Sequence, residues 1–283
     1  MNEGMRLDEC LQQAAARLVA VEIESPRREA RLLLAHWLGR DPAALLGVQA
    51  EHVDNPAFYF DLVTRRVNRE PMSHLLGHRE FWSLSFDVTG SVLDPRPDSE
   101  ALVESVLKEF PLEDESLRLL DFGTGTGCLI LSVLSERLQA SGVGVDVSKD
   151  ALKIANQNAK KLSLSARVEF LESDWGESLS GSFDAILANP PYIASEDIDG
   201  LAPEVAQYEP RLALDGGVDG LDCYRALGKD VTRLLAPGGK AFFEIGQGQA
   251  VAVEEILEAA KLRVLRHVVD LGGHVRCLIA QAY

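Results

Sequence analysis

Apolar positions change their period along the chain, and each change predicts a different kind of element. Leu7, Cys10, Leu11, Ala14, Leu18 and Val21 recur at helical spacing, which predicts an amphipathic helix over residues 6–22. A second helix starts after Ser25, a good N-cap, with Pro26 at its first position. Its apolar face holds Ala30, Leu33, Leu34, Trp37 and Leu38, and Gly39 stops it. Shorter helical stretches fall near 42–47 and 55–69, and almost no strand pattern precedes residue 80. From Phe81 the character changes. Phe81, Leu84, Phe86, Val88, Val92 and Leu93 flank Thr89-Gly90, which has the chemistry of a hairpin turn. Pro95 and Pro97 break the chain, and a helix over 98–109 follows, capped by Asp98 or Ser99.

Beyond residue 117 short apolar runs alternate with helical patterns. Strands are predicted over 117–122, 143–147, 167–171, 183–188 and 240–245. Helices are predicted to run through about Leu138, over 149–162, over 221–235 and over 247–260, and Pro237-Gly238-Gly239 ends the third of these. Two last strands near 263–270 and 274–281 are joined by Gly272-Gly273. Such alternation implies a mostly parallel sheet covered on both faces, with ligands at the carboxyl ends of its strands. The expected organisation is a helical domain over 1–75, a β-hairpin linker over 76–97 and an α/β domain over 98–283.

Composition adds little to that outline: 283 residues, 46% hydrophobic and 25% charged, describe an ordinary globular chain. No apolar run approaches the roughly 18 residues of a membrane span. The first ten residues, with Glu3, Asp8 and Glu9, lack the basic and apolar stretches of a secretory signal. Charge changes the picture more. Lys and Arg total 28 against 44 Asp and Glu, a net of −16, which disfavours a large nucleic-acid footprint. The imbalance lies mainly after residue 90, and the first lysine is Lys108. Cys10, Cys128, Cys223 and Cys277 form no C-x-x-C pair, so free thiols in a reducing cytoplasm are expected.

Three motifs carry the candidate chemistry. Asp121-Phe122-Gly123-Thr124-Gly125-Thr126-Gly127 follows a strand and opens a helix, where glycines let a ligand approach the backbone. Asp146 ends the second strand and can accept hydrogen bonds from both ribose hydroxyls, or else cap the next helix. These two features suit NAD and S-adenosylmethionine alike. Asn189-Pro190-Pro191-Tyr192 follows the fourth strand. Its prolines hold the backbone extended, its Asn offers a carbonyl acceptor, and its Tyr offers an aromatic face. A planar amide or exocyclic amine fits there, with its two N–H groups on the Asn189 side-chain oxygen and the Pro190 carbonyl. His74 and His78 lack any accompanying metal-ligand pattern, so no metal site is expected. Arg65, Arg66 and Arg69 read as a solvated helix face, with contact to a partner as the alternative. Glu244 ends the fifth strand, facing the pocket or capping a helix.

The Asn-Pro-Pro-Tyr motif resembles class I S-adenosylmethionine-dependent methyltransferases that act on planar nitrogens. Further matches narrow the resemblance to the HemK/PrmC family. They are Pro71, Leu75, Gly77, Glu80 and Phe81, the run from Asp94 to Glu100, Asp174-Trp175, Tyr208-Glu209-Pro210-Arg211, Gly216-Gly217-x-Asp219-Gly220-Leu221 and Glu244-Ile245-Gly246-x-x-Gln249. His74, Asp94 and Ser99 depart from the usual residues of that pattern.

The resemblance implies an α/β fold of the class I methyltransferase type. That fold is Rossmann-like, with a seven-stranded mostly parallel sheet and a small N-terminal all-α domain joined by a β-hairpin. It implies methyl transfer to the glutamine amide nitrogen of the Gly-Gly-Gln motif in class 1 peptide-chain release factors, with S-adenosylhomocysteine as the other product. Asn189, Pro190 and Tyr192 are then catalytic, and Asn189, Pro190, Pro191 and Tyr192 hold the substrate. Gly123, Thr124, Gly125, Thr126, Gly127, Asp146, Trp175 and Asn189 hold the cofactor. The implied protein is a cytoplasmic monomer without nucleic-acid or membrane partners. Two other readings share these residues: a nucleic-acid amine methyltransferase with the same clamp, and a binding module that has lost catalysis.

Overall fold

The computed structural model describes residues 4–47, 51–270 and 272–283. The chain divides into two compact units, one of residues 1–77 with 202–208, the other of residues 78–201 with 209–283. The polypeptide therefore leaves the second unit after Leu201, contributes a short segment to the first, and returns at Glu209.

In the first unit a short ribbon pairs β1 (Met5–Arg6) with β2 (His52–Val53). Helices α1 (Leu7–Val19), α2 (Pro26–Leu38), α3 (Ala57–Val67) and α4 (Met72–Leu76) bury one stripe each. Leu7, Cys10, Ala14 and Leu18 of α1 meet Ala30, Leu33 and Leu34 of α2 and Tyr59 and Val63 of α3. Burying such side chains contributes about 1.5–3 kcal/mol each for the larger ones. Pro26 occupies the first turn of α2, and Gly39 ends it with φ of 62°. That is the left-handed stop its position in the sequence predicts. Predicted helix 42–47 is a 3-10 turn over Pro42–Leu45.

Arg65 is exposed, as a solvated face predicts, but Arg66 and Arg69, the latter just beyond α3, are not. Arg66 is buried between Glu29, at 2.7 Å, and Glu204, at 2.9 Å. Arg69 reaches Glu204 and the Val21 carbonyl, and Arg65 pairs with Glu70. The acids that neutralise Arg66 come from α2 and from the returning segment, in which α8 spans Pro203–Ala206. Nothing local to α3 announces them.

The second unit opens with an antiparallel ribbon of β3 (His78–Phe81) and β4 (Leu84–Asp87). Its turn is Trp82-Ser83, not Thr89-Gly90. Both turn residues take positive φ, 51° and 56°, as a two-residue hairpin loop of this hand requires. Packing selects this register against turn propensity. Phe81 and Phe86 are buried and meet edge to face at 6.2 Å. The Trp82 backbone N–H and indole N–H are held by Glu100 and Glu136.

Among the described residues seven strands then form one sheet. They are β5 (Arg118–Phe122), β6 (Ser141–Asp146), β7 (Val168–Glu172), β8 (Phe183–Ala188), β9 (Leu235–Glu244), β10 (Leu262–Val269) and β11 (Val275–Ala282). Their order is β10-β11-β9-β8-β5-β6-β7, and every pairing is parallel except those made by β11. Strand β9 begins at Leu235, so Pro237-Gly238-Gly239 makes an irregularity within it rather than ending α9 (Asp222–Leu234). Leu271, in the connection between β10 and β11, lies outside the described residues.

Alternate residues of the central strands serve opposite faces. Ala185 and Leu187 of β8 pack with α5 (Glu100–Glu109) and α6 (Cys128–Glu136), while Ile186 and Ala188 pack with α9 and α10 (Ala250–Ala259). Helix α7 (Lys149–Lys161) covers β6 and β7. The order reverses between β5 and β8, because the chain proceeds from β5 to β6 on one side and returns to β8 on the other. Open sheets of this kind bind ligands at that reversal.

Candidate functional site

Both leading motifs sit at the reversal. The loop after β5 is held by its own main chain. Gly123, Gly125 and Gly127 have φ of 64°, 53° and 79°, a region that side chains with a Cβ rarely adopt. The Thr124 N–H donates to the Val145 carbonyl at 2.9 Å, and the Gly127 N–H donates to the Thr124 carbonyl at 2.7 Å. Asp146 at the end of β6 ties the arrangement together: Oδ2 accepts from the Gly125 N–H at 3.0 Å and Oδ1 from the Ser148 N–H at 2.9 Å. Capping of α7 falls to the Ser148 side chain, which accepts from the Ala151 N–H. Burial raises the Asp146 carboxyl above its ordinary range, and the two backbone bonds hold it back.

Beneath this loop Asp121 is wholly buried. Its Oδ2 accepts from the Thr124 hydroxyl at 2.6 Å, and its Oδ1 has no partner. Burial pushes its carboxyl up to about 7, against the Thr124 bond and with help from nearby Asp146.

The Asn189–Tyr192 segment follows β8. Asn189 Nδ2 donates to the Ser99 hydroxyl at 3.1 Å. That bond fixes the amide plane and leaves Oδ1 as the acceptor. Ser99 occupies the N-cap position of α5 but makes no side-chain cap. The Tyr192 carbonyl accepts from Gln249 Nε2 at 2.9 Å, and Gln249 Oε1 in turn accepts from the Gly246 N–H. The Tyr192 hydroxyl points to Glu244 Oε1 at 3.5 Å. Burial, then the neighbouring Glu244, pushes that phenol up to about 12. Glycines are required behind the segment, because a Cβ on Gly220 would meet the Tyr192 carbonyl and one on Gly216 the Pro191 carbonyl.

A cavity of about 380 Å³ lies between the two loops, within the second unit. Gly123, Gly125, Asp146, Trp175, Asn189 and Pro191 line it, and Trp175 stands edge-on to Phe122 at 6.3 Å. Its size and largely apolar wall suit a small organic ligand. The other sequence candidates support this cavity from behind. Thr124 and Thr126 are buried in the turn, Gly127 abuts Leu131 and Phe170, Pro190 is buried, and Tyr192 packs towards Glu244.

Several lining residues fall outside the ligand site that the sequence predicts: Ser91, Val92 and Leu93 after the ribbon, and Pro210, Leu212 and Ala213 after the second unit resumes. Behind them Glu209 is buried, accepting from the Asp94 N–H at 3.1 Å and from Arg96. Burial pushes its carboxyl up to about 7 despite Arg96. Glu244 caps no helix, since Gln249 holds the N-cap position of α10.

The arrangement offers a nucleotide-sized cavity floored by bare backbone, with an acid at one end and an amide acceptor at the other. Comparison with known proteins agrees. Residues 9–77 match the family described as PrmC N-terminal domain, and residues 96–208 match the family described as methyltransferase small domain. The chain is 45% identical over 278 residues to a release factor glutamine methyltransferase from Rhodospirillum rubrum, covering 97% of this chain and 85% of the relative. It is 43% identical over 274 residues to one from Caulobacter vibrioides, covering 94% of this chain and 93% of the relative. A solved methyltransferase from Pyrococcus furiosus shares the fold at 18% identity and a TM-score of 0.51, over 70% of this chain and 88% of its own.

Proposed function

The chain belongs to the release factor glutamine methyltransferase family, and from that premise we propose that it methylates the side-chain amide nitrogen of the Gly-Gly-Gln glutamine in class 1 peptide-chain release factors. The observation that carries this reading is Asn189. Its nitrogen is engaged by Ser99, so its oxygen is left to accept an N–H at the wall of the cavity.

The residues present fit S-adenosylmethionine. Gly123 and Gly125 bring bare backbone to the cavity, and no side chain other than Trp175 stands within 4 Å of where their Cβ atoms would be. Each Asp146 oxygen accepts one backbone N–H and keeps a further lone pair for a ribose hydroxyl. Trp175 offers an aromatic edge to an adenine. Thr124, Thr126 and Gly127 shape the turn. Bound there, S-adenosylmethionine supplies an electrophilic methyl group.

The chain's own contribution is positional and electrostatic. An amide nitrogen is a poor nucleophile because its lone pair is delocalised into the carbonyl. Asn189 Oδ1 and the Pro190 carbonyl accept its two N–H groups and aim the lone pair at the cavity, while Tyr192 packs beside it. As the new bond forms, positive charge grows on nitrogen and both acceptors bind more tightly than in the ground state. The surplus proton on the methylated nitrogen would then pass to water, and the spent cofactor would be S-adenosylhomocysteine.

The helical unit holds the release factor in register, and the enzyme acts as a cytoplasmic monomer without nucleic-acid contact. Among the described residues no helix is long and apolar enough to cross a membrane. The net charge of −16 favours a basic protein target over a polyanion. The test is to incubate the protein with S-adenosylmethionine and purified release factor. Mass spectrometry should then find one added methyl group on the Gly-Gly-Gln glutamine; methyl groups on DNA or RNA amines instead would favour the nucleic-acid reading.

A further inference from the structure

The side chain of Glu244 is buried at the carboxyl end of β9, where the long contact from the Tyr192 hydroxyl to Oε1 is its one interaction described so far. Its Oε2 has no hydrogen-bond partner. Its main chain is fixed, since Glu244 pairs with Cys277 and its carbonyl accepts from the Tyr224 hydroxyl at 2.7 Å. Leaving a buried carboxylate oxygen unpaired forfeits its solvation without a replacement bond. An apolar residue would avoid that cost, so the acid asks for a reason.

Ser99 supplies one. Its hydroxyl accepts from Asn189 Nδ2, which commits one lone pair and leaves its proton free to donate. Among the described residues no hydrogen bond within 3.5 Å takes up that proton, and Glu244 is close enough for Ser99 to favour its charged form. Thus a donor without an acceptor stands beside an acceptor without a donor. Catalytic hydrogen bonds are often long in the free enzyme and tighten when substrate binds.

We propose that Glu244 is a positioning residue which, through the Ser99 hydroxyl, sets the orientation and strengthens the acceptor power of the Asn189 amide. The direction of each bond follows. Glu244 accepts the Ser99 proton, so Ser99 can only accept from Asn189, and Asn189 must present Oδ1 rather than Nδ2 to the substrate. A negative charge at the end of the chain polarises each link, placing more negative charge on Oδ1 just when positive charge grows on the target nitrogen. Tyr192 donates to the other carboxylate oxygen, so the same acid steadies both ends of the Asn-Pro-Pro-Tyr segment. No proton is transferred along the chain; its bonds only tighten.

The groups facing Glu244 are Ser99 and Asp98 from the turn before α5, Cys128 from α6, Tyr192 after β8, Tyr224 from α9, and Arg276 and Cys277 from β11. Burial holds its carboxyl near 7, so the relay is completed only as pH rises through that value.

This inference rests on the proposed methylation of glutamine, and the experiment separates the two. Full-length wild type must first add one methyl group to the release factor; failure there overturns the proposed function, not the relay. Given that activity, Glu244→Gln should lower kcat about tenfold or more, with KM for release factor and affinity for S-adenosylmethionine within about twofold of wild type. The rise of kcat through pH 7 should be present in wild type and absent in Glu244→Gln. Ser99→Ala should cost the same, Ser99→Thr should restore most of that loss, and the Ser99→Ala/Glu244→Gln double variant should be no worse than either alone. Multiplicative losses in the double variant, or wild-type kcat in Glu244→Gln, would overturn the relay. A Glu244→Gln defect that appears only in melting temperature or in KM would do so too.

Discussion

The two loops at the sheet's reversal are held by different means. Gly123–Gly127 is shaped mainly by its own backbone, by Asp146 and by the Asn158 amide, which donates to the Thr126 carbonyl at 2.9 Å, and none of these partners is more than 32 residues away. Asn189–Tyr192 is held by side chains from across the chain: Ser99 ninety residues before it, and Glu244 and Gln249 more than fifty residues after it. The contrast follows from what each loop must do. A cofactor that arrives with many polar groups of its own can be bound by bare main chain and one acid. A weakly nucleophilic amide must instead be aimed, and aiming needs a side chain whose rotation is fixed from behind.

The largest expected effect tests the aimed side. Asn189→Ala removes the acceptor and should lower kcat by about 100- to 1,000-fold, the scale seen when one preorganised transition-state hydrogen bond is deleted. Affinity for S-adenosylmethionine, measured by calorimetry, should stay within about threefold. Near-normal turnover would mean that the Pro190 carbonyl alone suffices. A matching loss of cofactor affinity would mean that the two loops are not separate devices.

The cofactor side should behave in the opposite way, with an intermediate effect. Asp146→Ala removes two ligand hydrogen bonds to a charged group and frees the Gly125 and Ser148 N–H groups. Each such hydrogen bond contributes about 0.5–1.5 kcal/mol net of the water it replaces, so the loss of two should raise the dissociation constant about 10- to 100-fold. At saturating cofactor kcat should recover to within about threefold. Unchanged cofactor affinity would remove Asp146 from the ribose role and leave it as a loop brace.

The same contrast explains what could be read from sequence. The Gly-rich loop, Asp146 and the Asn-Pro-Pro-Tyr run were legible because each is a short run at a strand end. Apolar periodicity likewise placed the sheet strands and the helices of both units closely. What failed was whatever depends on distant partners. Thr89-Gly90 looks more like a turn than Trp82-Ser83, yet burial of Phe81 against Phe86 decides the register. Arg66 looks like a surface residue until Glu29 and Glu204 converge on it. Ser99 looks like a helix cap, but its hydroxyl serves Asn189. Glu244 offered two readings, and only its lack of a cap and its facing Ser99 and Tyr192 separate them.

The smallest expected effect concerns Asp121, where the cofactor loop meets its buried foundation. Folding raises its carboxyl from the ordinary range to about 7, chiefly through burial. The folded chain therefore holds this proton more tightly than the unfolded chain does. The stabilisation from the protonated form is fully present below the unfolded value, near 4, and is lost as pH rises through about 7. Asp121→Asn keeps an acceptor for the Thr124 hydroxyl and cannot ionise. Wild type should lose a few degrees of melting temperature relative to this variant between pH 5.5 and pH 8, with the variant gaining on the alkaline side. Glu209 and Glu244, raised in the same direction, contribute equally to both proteins and drop out of the difference. If the gap between the two melting curves were independent of pH, Asp121 would be ionised at both values. The loop would then stand on a charge paired with Thr124 rather than on a neutral acid.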